Sequence, residues 1–508
     1  MARENPLMSF SFSFRYLCHF SLLLSLFSFV SFLFRHNTSL CSCPYDHNPN
    51  AHTFHDHDHH HNNETIDLLR LSSAWNHLTF PSKPKKTLKI AVVVKKWPRR
   101  SQAGGLERHA LTLHLALAKR GHEVHVFTAA SPSFPEYQLK NLLFHLSEPT
   151  AAGYLDQASV SQQLQTQNAS GRPFDVIHTE SVGLLHTRAK NLPNVVASWH
   201  GIAYETFHSD IIQELLRQAD IAAAAAAGTE EEHPPPSSPA LTERAKRVVE
   251  EVKFFQRYAH HVATSDHCGD VLKRIYMIPE ERVHIILNGV DESVFKPDVT
   301  KRESFREKFG VRSGDKNKKA PLVLGIAGRL VRDKGHPLMF SALKRVFEEN
   351  KKARENVVVL VAGDGPWGSR YRDLGSNVIV LGPLDQEKLA GFYNAIDVFV
   401  NPTLRAQGLD HTLLEAMVSG KPVLATKLAS ITGSVVVGPH LGYTFSPNVE
   451  SLVEAISRVV SDGTEELQRK GKEARERSLR LFTASKMADA YERFFLCISD
   501  KSFCTIQA

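Results

Sequence analysis

The sequence is poor in cysteine and contains no paired Cys-x-x-Cys motif. Six cysteines in 508 residues are too few for a disulfide scaffold, and their spacing argues against a structural zinc site. Long Lys/Arg tracts are also lacking, so the formal charge of +7 gives little indication of nucleic acid as a partner. Hydrophobic and charged residues make up 42% and 23% of the chain, which is ordinary globular usage and excludes collagen or a coiled coil.

Phe and His are in surplus, with 29 and 27 residues, and both concentrate near the N-terminus. The segment Tyr16 to Phe34 is apolar and carries no charge; its nineteen residues at ~1.5 Å each nearly span a ~30 Å hydrocarbon core. Arg3 and Arg15 precede it, which favours a cytosolic N-terminus. We therefore predict a tail over 1–15 and an uncleaved signal anchor over 16–34, with the rest of the chain in the Golgi or endoplasmic reticulum lumen. A cleaved signal peptide is the alternative.

A His-rich stretch follows the apolar segment. Seven His lie among Asn, Asp and Pro between Asn37 and Thr65, and such a composition cannot bury a core. We predict a flexible stem over 35–86, where metal binding would be incidental. Asn63 and Asn168 head sequons that a lumenal location would make usable. There, Cys41 could pair with Cys43, or Cys497 with Cys504, and the sequence leaves both pairings open.

The body has the pattern of two α/β halves. An apolar strand at Lys89–Val94, a helical pattern from Leu106 to Leu117 and a strand at Glu123–Thr128 form a βαβ unit, and the same order restarts at Leu322. We predict two Rossmann-like, doubly wound parallel sheets, over 87–290 and 291–480, with a C-terminal helix and tail over 481–508. The Ala- and Pro-rich segment 222–239 is predicted to be a disordered insertion.

Three motifs in the second half are candidates for a ligand site. Gly363 to Gly368 (GDGPWG) fits a dinucleotide fingerprint, but Pro366 and its late position favour a tight turn before a helix. In Gly328 to Gly335 (GRLVRDKG), Arg329 and Lys334 could neutralise a diphosphate at the carboxyl edge of the sheet, or simply belong to a solvated loop. Glu415 lies in a Thr-Leu-Leu-Glu pattern, which is typical of a capping box, or it could accept hydrogen bonds from sugar hydroxyls.

The order of the motifs resembles glycosyltransferase family 4, whose members are retaining enzymes of the GT-B fold. The series is a Gly-Gly loop, Asn-Gly-Val-Asp, Gly-Arg-Leu-x-x-x-Lys-Gly, Ala-Gly-Asp-Gly-Pro and Leu-Leu-Glu-Ala-Met-x-x-Gly-Lys-Pro-Val, and it extends from about Lys89 to Phe495. The resemblance implies two domains facing a cleft. The first would hold a glycan, lipid or small-molecule acceptor, and the second a nucleotide-sugar donor, with a UDP-sugar expected.

The resemblance also assigns roles to residues. Arg329 and Lys334 resemble the pair that holds the donor diphosphate, and Glu415 the carboxylate that meets the ribose hydroxyls. Gly104 and Gly105 match the loop that approaches the phosphates. His200 occupies a strand end where such enzymes place a His near the transferred sugar, although it could instead bond within its turn.

One position departs from the family pattern. A Glu is expected eight residues before Glu415, where this chain has Gln407, which cannot offer negative charge to the transition state. Asp410, beyond Gly408 in the donor loop, could restore a carboxylate there, or it could cap a helix. Because Gln407 weakens the catalytic apparatus, a catalytically silent GT-B protein that binds a glycan or partner is the alternative function, and a nicotinamide enzyme is a distant third.

No cofactor or metal is expected. The sequence has no Asp-x-Asp at a strand end, and the two cations with a helix N-terminus would stabilise the departing diphosphate. We therefore predict metal-independent transfer, with the membrane contacted only through the N-terminal segment.

Overall fold

The computed structural model describes residues 65–80, 86–98, 105–130, 139–227, 238–311, 320–406 and 408–507. The tail, anchor and stem predictions up to residue 64 lie outside these residues, as do Gly104 and Gln407. Among the described residues, none of the helices combines the length and the apolar character needed to cross a bilayer.

The described segments alternate between strands and helices. Strands β1 to β15 are Thr65–Asp67, Lys89–Val93, Glu123–Ala129, Leu142–Ser147, Val176–Glu180, Val195–Trp199, His260–Ala263, Val283–Ile285, Leu322–Ala327, Val357–Ala362, Val378–Gly382, Val398–Asn401, Val423–Thr426, Gly442–Phe445 and Thr505–Gln507. Helices α1 to α15 are Gly105–Lys119, Gln157–Ala169, His186–Ala189, Ala203–Ala227, Ser238–Phe255, Asp266–Arg274, Val299–Lys308, His336–Glu349, Lys351–Asn356, Trp367–Arg372, Gln386–Ala395, His411–Val418, Ala429–Ser434, Val449–Leu481 and Ala484–Ser499.

Two parallel sheets organise these elements, as the sequence predicted. The N-lobe sheet has the order β4-β3-β2-β5-β6-β7-β8 and the C-lobe sheet the order β11-β10-β9-β12-β13-β14. The central strands β2 and β9 are runs of aliphatic residues because helices cover both faces of such a sheet. Chain order reverses beside β2 and beside β9, and open α/β sheets bind ligands at the carboxyl ends of strands where this happens.

The chain crosses between the lobes twice, at adjacent points. Val290 donates its N–H to the Phe482 carbonyl at 2.9 Å, and the Ala484 N–H is donated to the Val290 carbonyl at 2.8 Å. A Cβ on Gly289 would lie 2.3 Å from the Thr483 carbonyl oxygen, so only glycine fits there. After the second crossing, α15 packs against α1 and completes the N-lobe, with Tyr491 and Phe494 fully buried.

The prediction of a flexible stem up to residue 86 is wrong for Thr65–Phe80. Trp75 is buried against Phe494, and the Asn76 side chain donates to the Leu287 and Leu481 carbonyls at 3.2 and 2.9 Å. Composition missed this segment because its anchor residues are few and their partners lie more than two hundred positions away.

The C-terminal end of the body is joined to the same segment. Strand β15 pairs antiparallel with β1, and Cys497 forms a disulfide with Cys504. Of the two cysteine pairings that the sequence left open, the C-terminal one is confirmed, and Cys41 and Cys43 lie outside the described residues.

The prediction of a disordered insertion over 222–239 is wrong at both ends, where the chain is helical. Helix α4 continues to Ala227 and α5 begins at Ser238, so only 228–237 lie outside the described residues. Alanine has the highest intrinsic helix propensity, and the Ala tract extends α4 instead of interrupting it.

Candidate active site

A cavity of about 600 Å³ opens between the carboxyl ends of the two sheets. Gly105 and His200 line it from the N-lobe, where they follow the loop after β2 and the end of β6. Arg329, Lys334 and Asp410 line it from the C-lobe, beyond the ends of β9 and β12. The structure thus brings five of the sequence-predicted residues to one place, and Gly408 lines the same cavity.

Two helices begin at this cavity. Helix α1 starts at Gly105 and α12 at His411, and a Cβ built on Gly105 would lie 3.7 Å from Nδ1 of His411. The N–H groups of a first helical turn and the positive end of the helix dipole favour an anion at such a position. Because two of these ends converge, the cavity suits a ligand with more than one negative charge.

The two predicted cations differ in their surroundings. Arg329 is exposed, and its guanidinium meets no partner among the described residues. Its own carbonyl accepts from Nε2 of the buried His336 at 3.0 Å, which fixes the loop beneath it. Lys334 is held instead by Asp410, whose Oδ2 lies 2.7 Å from Nζ.

Asp410 is the N-cap of α12, accepting a hydrogen bond from the Thr412 N–H at 3.2 Å. The predicted capping box is therefore wrong, since the helix begins four residues before Glu415. Burial alone would raise the pKa of the Asp410 carboxyl, but Lys334, Thr412 and Asn401 hold it well below its usual range. Capping and pairing with Lys334 use the same carboxylate.

Glu415 lies away from the cavity surface. Its side chain is fully buried in an ion pair with Arg108 of α1, and the Tyr393 hydroxyl donates to its other oxygen at 2.8 Å. Burial raises the pKa of this carboxyl, and Arg108 and Tyr393 oppose the rise. In this structure Glu415 is a contact between the lobes, and it is absent from the described residues that line the cavity.

His200 is held from behind by Glu180, the last residue of β5. Its Nε2 lies 2.6 Å from Oε2 of Glu180, while Nδ1 of the buried His109 lies 3.2 Å from Oε1. Together, His109, Glu180 and His200 have donor atoms close enough to hold a metal ion, as have His114, His178 and Glu180. The sequence left open that His200 could hydrogen-bond within its own turn. It bonds instead to Glu180, on the neighbouring strand β5.

Both lobes match models of known transferases. Residues 103–294 match the family model described as Glycosyltransferase Family 4, and residues 321–462 match the one described as Glycosyl transferases group 1. The chain is a GT-B glycosyltransferase.

Curated relatives align with this glycosyltransferase over most of their own length but share little of its sequence. An uncharacterised glycosyltransferase of Methanocaldococcus jannaschii is 22% identical over 74% of this chain and 90% of its own. The D-inositol 3-phosphate glycosyltransferase of Xylanimonas cellulosilytica is 26% identical over 66% of this chain and 78% of its own. Among solved structures, that of Anabaena HepE in complex with UDP-glucose has a TM-score of 0.56 at 17% identity, covering 80% and 99% of the two chains. It shows that the fold is shared.

Sequence reasoning missed three residues of the glycosyltransferase's site region, namely Arg108, His109 and Glu180. Arg108 and His109 follow the Gly-Gly loop directly, and Glu180 ends a strand next to the switch point of the sheet. For Glu180, the available signal was a charged residue at the carboxyl end of a strand. The contacts of Glu180, Arg108 and His109 depend on the packing of α1 and cannot be derived from the spacing of residues in the sequence.

Proposed function

We propose that this glycosyltransferase moves a hexose from a UDP-sugar to a glycan, lipid or small-molecule acceptor, with retention of configuration. The observation that carries the proposal is the convergence of Arg329, Lys334 and the N-termini of α1 and α12 on one cavity. A nucleoside diphosphate supplies the matching anion, and the relative crystallised with UDP-glucose has the same fold.

In this mechanism the chain acts mainly on the leaving group. As the bond between sugar and phosphate breaks, negative charge grows on the diphosphate, and fixed cations and helix ends stabilise that charge without reorganising. Arg329 offers a planar fork and Lys334 a point charge, while Gly105 lets the backbone approach closely. His200 would hydrogen-bond the transferred sugar, and Gln407, Gly408 and Asp410 would border it from the C-lobe.

The donor should be identified first. Thermal unfolding of the purified body would be measured with UDP-, ADP- and GDP-glucose and with the free nucleoside diphosphates. We expect UDP and UDP-glucose to raise the Tm, and Arg329→Ala to remove the rise, whereas Arg345→Ala on the outer surface should retain it. Failure of every nucleotide to shift the Tm would refute the proposal.

Turnover separates this proposal from a silent binding protein. The wild-type body should release UDP from UDP-glucose in the presence of acceptor or water, and the anomeric configuration of the product should match that of the donor. Tight binding without any turnover would favour the silent alternative that Gln407 raised.

We also propose that transfer needs no divalent metal. EDTA should leave the rate unchanged, because the protein's own positive groups would balance the charge on the diphosphate. A rate that falls with EDTA and returns with Mg²⁺ or Mn²⁺ would contradict this.

A lumenal location with an anchor over 16–34 remains our proposal for the full chain. The Cys497–Cys504 disulfide supports it, since such bonds persist in oxidising compartments. Protease treatment of intact microsomes should spare the body and remove only the short N-terminal tail; digestion of the body would refute the topology.

A further inference from the structure

Behind His200 lies a chain of buried polar side chains that the proposed reaction does not itself use. We call it the histidine chain: His114, His178, Ser198, Tyr491, His109 and Glu180. Each of these residues is buried, and they come from α1, β5, β6 and α15. None of these six residues lines the cavity, whereas His200, which bonds to Glu180 at the end of the histidine chain, does.

The protons of the histidine chain can be assigned one by one, starting from the backbone carbonyl that His114 contacts. Nδ1 of His114 lies 2.7 Å from the Ala110 carbonyl and must donate to it. Burial lowers the pKa of His114 to about 4, so the ring is neutral and its Nε2 accepts. Nδ1 of His178, 2.9 Å away, therefore donates to His114.

The same logic continues to Tyr491. Burial also lowers the pKa of His178 well below its usual value, so its Nε2 accepts from the Ser198 hydroxyl at 2.7 Å. Ser198 has then used its proton and accepts from the Tyr491 hydroxyl, also at 2.7 Å. Tyr491 has no proton left for His109, whose Nε2 lies 3.4 Å from the Tyr491 oxygen, the longest link in the chain.

Glu180 meets the chain from the other side. Burial alone would raise the pKa of this carboxyl, but His109, His178 and His200 lower it well below its usual range, so it is an anion. An anion only accepts, hence Nδ1 of His109 and Nε2 of His200 both carry protons and donate to it. For His200, Nδ1 is then the nitrogen that no described residue bonds.

We propose that Glu180 is a positioning residue for His200, holding it in the tautomer that presents Nδ1 to a hydroxyl of the donor sugar. This inference rests on the proposed function. Both oxygens of Glu180 are occupied by N–H donors, and the histidine chain fixes one of those donors, His109, within the packed interior. His200 therefore has neither a second tautomer nor a second ring orientation available while Glu180 is ionised.

Other titratable groups surround this pair. His411 of α12 faces His109 and His200, and Arg108 faces His411; burial, then Arg108, lower the pKa of His411 well below its usual value. Tyr491 lies on the opposite side, and burial followed by the charge of Glu180 raises its pKa far above the ordinary value. Burial lowers the pKa of the three histidine neighbours of Glu180 on α1 and β5, which are His109, His114 and His178, and Glu180 is the carboxylate that they surround.

The test replaces Glu180 by Gln, which keeps the shape but offers one acceptor and one donor to two N–H groups. His200 must then change tautomer or turn away. With UDP-glucose as probe, we expect kcat to fall about 10- to 100-fold, as for loss of a hydrogen bond to a charged group. The affinity for UDP alone should stay unchanged, because the diphosphate does not depend on His200.

Glu492→Gln is the matched control. Glu492 is another buried carboxylate of the N-lobe, bonded to Nε2 of His122 at 2.7 Å and to Arg120, away from the cavity. Its loss should lower stability and leave kcat and UDP affinity as in the wild type. In a His200→Asn background, Glu180→Gln should cause no further loss of kcat; an additional loss of the same size would overturn the proposal.

A spectroscopic measurement tests the tautomer without any ligand. Selective ¹⁵N labelling of histidine, with the His200 signal assigned by its absence in His200→Asn, should show a proton on Nε2 in the wild type and a changed signal in Glu180→Gln. A proton on Nδ1 in the wild type would overturn the proposal. So would one bound zinc per chain that is lost in His109→Ala, since the cluster would then be a metal centre.

These measurements distinguish the failure of the proposed function from the failure of the role assigned to Glu180. If UDP and UDP-glucose bind to neither wild type nor variant, the proposed function falls and this inference falls with it. If UDP binds and turns over as UDP-glucose while Glu180→Gln is fully active, only the role of Glu180 is refuted.

Discussion

Asp410 shows how one carboxylate can couple a helix end to a ligand-binding cation. It caps α12 and holds Lys334 at 2.7 Å, so the cation is aimed along the same edge that presents the helix N–H groups. The sequence offered a cap and a site residue as alternatives, and the geometry makes the two compatible.

Asp410→Asn should therefore lower turnover by about tenfold or more, because Asn still caps a helix but no longer pairs with Lys334. The measurement is UDP release from UDP-glucose by the purified body. Asp385→Asn is the control, since Asp385 also caps a helix and pairs with a lysine, Lys388, at 2.6 Å at the solvent-facing start of α11. Unchanged turnover in Asp410→Asn would remove Asp410 from the site.

Glu205 offers a test of stability against pH. Neither of its buried oxygens has a hydrogen-bond partner within the part of the chain that the structure describes, and burial raises the pKa of the carboxyl to about 8. As the pH rises from the usual Glu value toward this one, the unfolded chain loses the proton and the folded chain keeps it. The free energy of unfolding should fall by about 1.4 kcal/mol per pH unit over that window.

In Glu205→Gln this fall should disappear, so the variant should be the more stable protein at about pH 8 and similar to the wild type near pH 4. Urea titrations across the range would measure it. Glu492→Gln should not change the slope, because the pKa of Glu492 is lowered to about 2 by His122 and Arg120 against the effect of burial. Parallel curves for wild type and Glu205→Gln would show that Glu205 is ionised in the fold.

At the scale of elements, α15 and β15 join the two ends of the body. The Leu68 N–H is donated to the Cys504 carbonyl at 2.8 Å, and the disulfide ties this turn to the end of α15. Replacing Cys497 and Cys504 together by Ser should lower the free energy of unfolding by about 2.5 kcal/mol, the chain-entropy value for so short a loop.

Guanidinium titrations of the two proteins would measure that loss. Cys268→Ala serves as the control, because Cys268 is a free, buried cysteine of α6. When a reductant is added, the free energy of unfolding of this variant should fall by as much as that of the wild type. A double-serine variant as stable as the wild type would show that β15 needs no covalent tie.

Local patterns predicted the elements and not their long-range contacts. The aliphatic runs of β2 and β9 and the Gly-rich turns after them were legible because a βαβ unit repeats within about forty residues. Trp75, Glu180 and Arg108 were missed since each acts through partners on other elements. The interpretation of GDGPWG as a turn holds, as Gly363 and Gly365 have φ of 139° and 148° and α10 follows.

At the scale of the whole molecule, the lobes are joined by polar bonds around the cavity. Asn288 donates to the Leu409 carbonyl at 3.1 Å, the Ala406 N–H is donated to Ser209 at 2.9 Å, and Ser434 donates to Asp266 at 2.7 Å. The buried ion pair of Arg108 with Glu415 lies among these contacts. Breaking this ion pair should therefore lower the free energy of unfolding.

Arg108→Met should cost about 3–5 kcal/mol, because it leaves the Glu415 charge buried without a partner. Adding Glu415→Gln should recover most of that loss, since the unpaired charge is then removed. Denaturant unfolding of the four proteins closes the cycle. If the loss of stability in the double variant equals the sum of the losses in the two single variants, the pair is not energetically coupled.

The return of α15 to the N-lobe has a consequence for synthesis. Tyr491 and Phe494 fill a core whose other walls, β2 and α1, leave the ribosome nearly four hundred residues earlier. The C-lobe, which is contiguous from β9 to α14, can close as it emerges, whereas the N-lobe waits with an open apolar face until the last helix is translated. The lobe made first is therefore the one finished last, and nascent chains stalled before residue 484 should be the form that chaperones retain.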